Sequence, residues 1–335
     1  MDSIKHLKDL KNRLISFTQQ TFNRRAQTSN SLCCIEFGTT SFSCAYVSAA
    51  NGRPELELLE TVPCDVNNPL PALTEFVKAH QLEGVNCSWL LKADKYQLIN
   101  LDELPVKAEE FQSAIRWQIK KLLSFPVDNA FIDSYPVPRA QIPNPKKMIT
   151  VVASQADYIQ PIAEQIAESG LNLTTIDIQE LALRNVVSMF ETDDLCTAMV
   201  YLQEKNSDII FTRQQEFYFL RRLDWSFEKL ANNYENQENL NQYLQKLALE
   251  VQRSFDYFQS QWRLPAPTHV YMVSLNPKVL DIAAYMSQRL RFPIENINLN
   301  KVLVSKVPLT SNLESQYLSV IGGALRDDSN HAPTS

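Results

Sequence analysis

Glycine is scarce in this chain, with six in 335 residues against an average usage of ~7%. They are Gly38, Gly52, Gly84, Gly170, Gly322 and Gly323. Backbone can approach a phosphate closely only where side chains are absent, so few loops here can cradle one. Metal-ligand spacing is missing as well. The four histidines, His6, His80, His269 and His331, are scattered, and the six cysteines form no CxxC pair, which excludes a zinc site. Cysteines 33, 34, 44, 64, 87 and 196 read instead as small buried residues in strands, kept reduced. Basic excess is absent too: 32 Lys and Arg against 38 Asp and Glu give a net charge of -6, which argues against nucleic acid as a partner. No apolar run approaches the ~18 residues of a membrane span, and the first residues lack an apolar signal core, so a cytoplasmic protein is expected. No GxSxG, Walker loop or HExxH is present.

What is present is an α/β order that occurs twice. Strand-like runs LCCIEF, SFSCAYV and ELELLETV precede a helical LPALTEFVKAH and a strand CSWLL. From Thr197 the same order returns as TAMVYLQ, SDIIFTR and EFYFLRRLDW, then the long helix LNQYLQKLALEVQRSFDYFQSQW and the strand THVYMVS. Such a duplication is the plan of a paired ribonuclease-H-like, actin-like fold. Between the copies lie a strand KYQLINLDEL, a helix VKAEEFQSAIRWQIKKLL, strands NAFIDSYPV and KMITVVAS, and a helix DYIQPIAEQIAESG that Gly170 should close. The domains expected are 31–196, containing an inserted subdomain at about 86–172, and 197–310, with a terminal helix 311–326 returning to the first domain and a polar tail 327–335.

Residues 1–30 differ from the rest. Lys5, Lys8, Lys11, Arg13, Arg24 and Arg25 against Asp2 and Asp9 leave +4, around Ile4, Leu7, Leu14, Ile15 and Phe22 at near-helical spacing. Such a segment is either a helix that lies on a membrane surface, with Lys5, Lys8, Lys11 and Arg13 facing anionic lipid, or docks on a partner, or else a solvated extension.

The stretches KYQLINLDELP, AIRWQIKKLLSFPVDNAFIDSYPVP, GLNLTTIDIQELALRNVV, LEVQRSFDYFQSQW and IGGALR, in that order, resemble the PilM/MshI family of type IV and MSHA pilus biogenesis proteins. The resemblance covers roughly residues 30 to 326. It implies an actin-like, FtsA-related body with an extra subdomain, and a cytoplasmic protein that captures the tail of a PilN-like inner-membrane partner.

A working actin-like site needs two hairpins that meet phosphate and a Gly-Gly turn for adenosine. The first hairpin, Glu36 with Gly38, Thr39 and Thr40, keeps its phosphate loop in vestigial form. The second places Tyr201 and Gln203 where the pattern has Asp and Gly, and the third, Leu275-Asn276-Pro277, has no glycine. Absence of ATP turnover and of a resident cofactor is therefore expected, with Mg-ATP binding through the first hairpin as the alternative. Gly322 and Gly323, in a terminal helix, fit close packing better than an adenosine pocket. For a partner groove the extra subdomain is the candidate. Ile115, Ile119 and Leu122 read as its core, Trp117 and Phe125 as core or interface, with the Phe125-Pro126-Val127 turn beside them. Arg221-Arg222 reads as a solvated strand end.

Overall fold

The computed structural model describes residues 31–50, 53–192, 194–231, 237–274 and 281–326. The basic segment with Lys5, Lys8, Lys11 and Arg13, the Leu275–Pro277 loop and the polar tail lie outside the described residues.

The first copy runs β1 (Leu32–Phe37), β2 (Ser41–Ala50), β3 (Arg53–Pro63), α1 (Leu70–Ala79) and β4 (Asn86–Leu91). Next come β5 (Tyr96–Asp102), α2 (Ala108–Ile119), β6 (Ala130–Val137), β7 (Met148–Gln155), α3 (Ala156–Glu168), β8 (Asn172–Ile178) and α4 (Gln179–Ser188). The second copy runs β9 (Thr197–Leu202), β10 (Ser207–Arg213), β11 (Glu216–Leu223), a short α5 (Phe227–Ala231), α6 (Gln237–Trp262) and β12 (His269–Ser274). It is followed by α7 (Ile282–Leu290), β13 (Ile294–Asn296), β14 (Val304–Ser305) and α8 (Ser311–Ala324).

These strands form three sheets, ordered β14-β3-β2-β1-β4-β8, β11-β10-β9-β12-β13 and β5-β7-β6. In the two larger sheets the middle strands are covered on both faces, which is why LCCIEF and TAMVYL are apolar almost throughout rather than alternating. The layer between these sheets is built on α4 and α8. From Tyr317 to Ala324 every residue of α8 is buried, including the polar Ser319, as befits a helix enclosed on all sides. The second sheet's other face is covered by α6, whose Phe258 and Trp262 stack on Phe211 and Phe219 with ring centroids 5.0 and 5.2 Å apart.

The inserted subdomain is smaller than the 86–172 expected from sequence. Asn86–Leu91 pairs in parallel with β1, and α3 buries Ile159, Ile162 and Ile166 in the same core as β1 and β4. The separate unit is therefore the three-stranded sheet plus α2, between Tyr96 and Gln155. Its own core joins Ile115 and Ile119 to Ile132, Val151 and Ala153. The strand period sends alternate residues to the opposite face, where Phe131, Tyr135 and Val152 pack toward the first domain. The subdomain also reaches the second sheet: Tyr135 meets Phe217 edge-on at 6.2 Å, and the Gln141 N–H donates to the Trp262 carbonyl at 2.9 Å.

Gly170 does stop α3. The helix ends at Glu168, Gly170 turns at φ +103°, and its carbonyl accepts from the Gly84 N–H at 2.7 Å.

Candidate functional site

The hairpins expected to face a nucleotide lie at corresponding ends of β1 and β9. In the first, the Gly38 N–H donates to the Ser41 carbonyl at 2.6 Å, so this turn amide already has an acceptor within its own hairpin. A Cβ at Gly38 would stand 3.0 Å from that same oxygen. Thr39 and Thr40 are exposed. Glu36 is partly buried, and desolvation raises its carboxyl above the ordinary range while Lys92 opposes the shift.

The second hairpin is closed more fully. Tyr201 is buried in the layer between the sheets, and its hydroxyl donates to the Ser315 carbonyl of α8 at 2.8 Å. Burial, with the Glu36 charge nearby, pushes its phenol well up. The Gln203 N–H donates to Ser207 Oγ at 3.3 Å and its side-chain amide to Asp208 Oδ2 at 3.3 Å. The carbonyls of Gln203 and Glu204 accept from the Phe227 and Glu228 N–H groups, tying the loop to the start of α5. In each hairpin one loop amide, that of Gly38 and that of Gln203, thus has an acceptor within its own hairpin.

Gly322 and Gly323 have packing neighbours. A Cβ at Gly322 would fall 2.1 Å from the Ala182 carbonyl oxygen on α4, and one at Gly323 would fall 2.3 Å from Cys34 Sγ on β1. Asn185 Nδ2 donates to the Gly322 carbonyl at 2.8 Å, which fixes the α4–α8 contact.

A second candidate site lies on the face of the β5-β7-β6 sheet away from α2. Register places Leu98, Val152 and Asp133 side by side across the three strands, and Asn100, Thr150 and Tyr135 in the next row. Leu98 is 39% exposed, while Thr150 Oγ1 donates to Asn100 Oδ1 at 2.9 Å. Asp133 is exposed, yet desolvation raises its carboxyl, opposed by the Ser134 N–H at 2.8 Å and by Arg326. Arg326 Nη1 pairs with the buried Asp177 at 2.9 Å, and Tyr96 Oη donates to Glu180 Oε2 at 2.5 Å. Glu180 is raised by desolvation despite that hydrogen bond. Sequence reading missed this sheet face because its residues come from separate strands that only the register brings together.

The residues expected at a partner surface are divided by the structure. Trp117 is 79% exposed on the outer side of α2, Pro126 is exposed, and Phe125 is half-buried against the subdomain core. Val127 is a correction: it is buried in that core, because the turn after α2 folds back under it and anchors there. Leu122 is another. Expected in the core with Ile115 and Ile119, it is 57% exposed, since α2 ends at Ile119 and the helical stripe does not continue. Arg221 and Arg222 are not simply solvated. They pair with Glu250 at 2.8 Å and with the buried Asp208 at 3.3 Å. Five of the six cysteines are buried and Cys64 is partly so. Among the described residues no cluster could hold a metal ion, and no helix is long and apolar enough to cross a membrane.

No protein-family model matches the chain, and no curated protein does. Solved structures do. The chain is similar to a chain of a PilM–PilN type IV pilus biogenesis complex, with 16% identity and a TM-score of 0.67 over 88% of this chain and 97% of that one. It also resembles the cytoplasmic domain of EpsL, an inner-membrane component of the type II secretion system of Vibrio cholerae, at 9% identity, 87% and 95% coverage and a TM-score of 0.47. A Bacteroides thetaiotaomicron protein with an actin-like ATPase fold matches at 8% identity, 86% and 95% coverage and 0.46. The fold is actin-like α/β.

Proposed function

We propose that this chain is a non-enzymatic cytoplasmic adaptor of a type IV, MSHA-like pilus assembly platform that binds the cytoplasmic tail of a PilN-like inner-membrane protein. The observation that carries the reading is the likeness, over 88% of the chain, to a chain from a complex of PilM with PilN. The stretches that resemble the PilM/MshI family in sequence support it. We place the tail on the β5-β7-β6 sheet. The exposed Leu98 offers an apolar contact and Asp133 a carboxylate on the same face, so an extended segment with an apolar anchor and an adjacent cation fits.

Loss of catalysis is supported by the hairpins. The Gly38 and Gln203 amides have acceptors within their own hairpins, and Tyr201 occupies the space between the sheets with its hydroxyl held by α8. A second reading, an ATP-binding regulator of assembly, is favoured only by the first hairpin, where Glu36, Gly38, Thr39 and Thr40 are retained.

Titration of the chain with the soluble N-terminal tail of the PilN-like partner tests the adaptor reading. Saturable binding that Asp133→Lys weakens about tenfold or more is expected, because the substitution sets a like charge against the tail's cation. Absence of binding to any such tail would remove the assignment.

A further inference from the structure

The inserted subdomain has a second face, on the side of α2 away from its sheet. Helical periodicity that sets Ile115 and Ile119 into the core turns Trp117 outward, and Lys120 and Lys121, in the turn that follows the helix, are exposed. Trp117 is 79% exposed, and Leu122, just beyond the helix, is 57% exposed. Folded chains seldom leave a side chain of indole size this bare. The other three tryptophans, Trp89, Trp225 and Trp262, are buried.

Charge is split along this element: Glu109 and Glu110 lie in the first turn of α2, Arg116 in its last, and Lys120 and Lys121 just beyond its end. Arg116 is committed to the carbonyls of Val127 and Ala130, at 2.9 and 3.1 Å. Lys120 and Lys121 are exposed, and among the described residues neither joins an ion pair. A protruding indole, a neighbouring leucine and two unpaired ammonium groups suit a bilayer interface. The ring lies at headgroup level, lysine stems cover apolar surface, and the charges meet lipid phosphates. A protein partner would have to bring a pocket for the whole indole, whereas a bilayer needs none.

We propose that this face of α2 rests on an anionic bilayer, with Trp117 and Leu122 at the headgroup level and Lys120 and Lys121 against lipid phosphates. The surface proposed for the tail is on the opposite face of the same small sheet, so both can be occupied together. The inference stands on its own residues and does not depend on the adaptor reading.

Acrylamide quenching of tryptophan emission tests it on the full chain, because Trp117 alone is open to the quencher. Phosphatidylcholine vesicles with and without phosphatidylglycerol serve as the probe, at low and high salt. Shielding of Trp117 and a blue shift are expected with the anionic vesicles only, and both should fade as salt rises. Lys120→Glu with Lys121→Glu should weaken vesicle binding about tenfold or more while tail affinity is retained. Trp117→Ser should abolish the quenchable emission and leave the unfolding midpoint in place, since the side chain supports no packing. Quenching that anionic vesicles leave unchanged at low salt would overturn the proposal. So would vesicle binding that survives the charge reversal, which would assign it to another segment. Shielding that grows with protein concentration in the absence of lipid would assign the face to a second copy instead.

Discussion

If Gly322 and Gly323 serve packing, the two positions should respond differently to alanine. Alanine favours a helix interior by about 1 kcal/mol over glycine, so in an open position either change would stabilise. At Gly323 the new methyl would lie 2.3 Å from Cys34 Sγ and 3.3 Å from Cys34 Cβ, inside a core that is closed on both sides of β1. Overpacking of that kind costs about 1–3 kcal/mol, so Gly323→Ala should be destabilising by about 1–2 kcal/mol net. Cys34→Ala removes the offending sulfur and alone leaves a small void costing about 1 kcal/mol. Combined, the new methyl occupies the space the sulfur left, and the double variant should be less destabilised than the sum of the singles by about 1–2 kcal/mol. At Gly322 the obstacle is the Ala182 carbonyl oxygen at 2.1 Å, which is backbone, with Val186 Cγ2 at 3.0 Å behind it. Trimming Val186 to alanine should therefore give no rescue, and Gly322→Ala should be the more damaging change. Urea unfolding followed by tryptophan emission measures all five variants. Additive effects at Gly323 and Cys34, or stabilisation by either glycine change, would refute the packing account.

Three further outcomes follow from the same geometry. Tyr201→Phe should cost about 1 kcal/mol through loss of the bond to the Ser315 carbonyl, read as a lowered urea midpoint, and should confer no Mg-ATP affinity. Glu36 has its carboxyl raised on folding, so the native state holds that proton more tightly and stability falls as pH rises from the ordinary carboxylate range toward the raised value. Glu36→Gln should flatten that slope, gaining most at neutral pH and nothing in acid, as midpoints across a pH series would show. Arg326→Ala leaves Asp177, which is 2% exposed, without its cation and should cost about 3–5 kcal/mol, with Asp177→Asn recovering part of it in the pair.

Much of the architecture was legible because it rests on period and order. The repeated strand-strand-strand-helix-strand pattern, the long α6 and the all-buried strands β1 and β9 follow from local sequence. Extents that depend on pairing were not legible. The insert was read too large because bounds of about 86–172 took in CSWLL, the closing strand of the first repeat, which pairs with β1, and the helix α3, which packs into the core of β1 and β4. Leu122 and Val127 changed places between surface and core because α2 stops at Ile119, and a turn, not a helix, sets their directions. Of the candidate sites, the departures at Tyr201 and Gln203 are visible as residue types. Their hydrogen bonds to α8 and to Asp208 needed three-dimensional contact. The sheet face at Asp133 was hidden altogether, since Leu98, Val152 and Asp133 are far apart in the chain and no motif links them.

Calorimetric titration of the full chain with the partner's tail peptide, in EDTA and again with saturating Mg-ATP, is the most direct test of an adaptor that works without nucleotide. The account predicts the same affinity in both conditions and no heat from Mg-ATP alone. Tail binding that appears only with Mg-ATP, and that Gly38→Val abolishes, would contradict it.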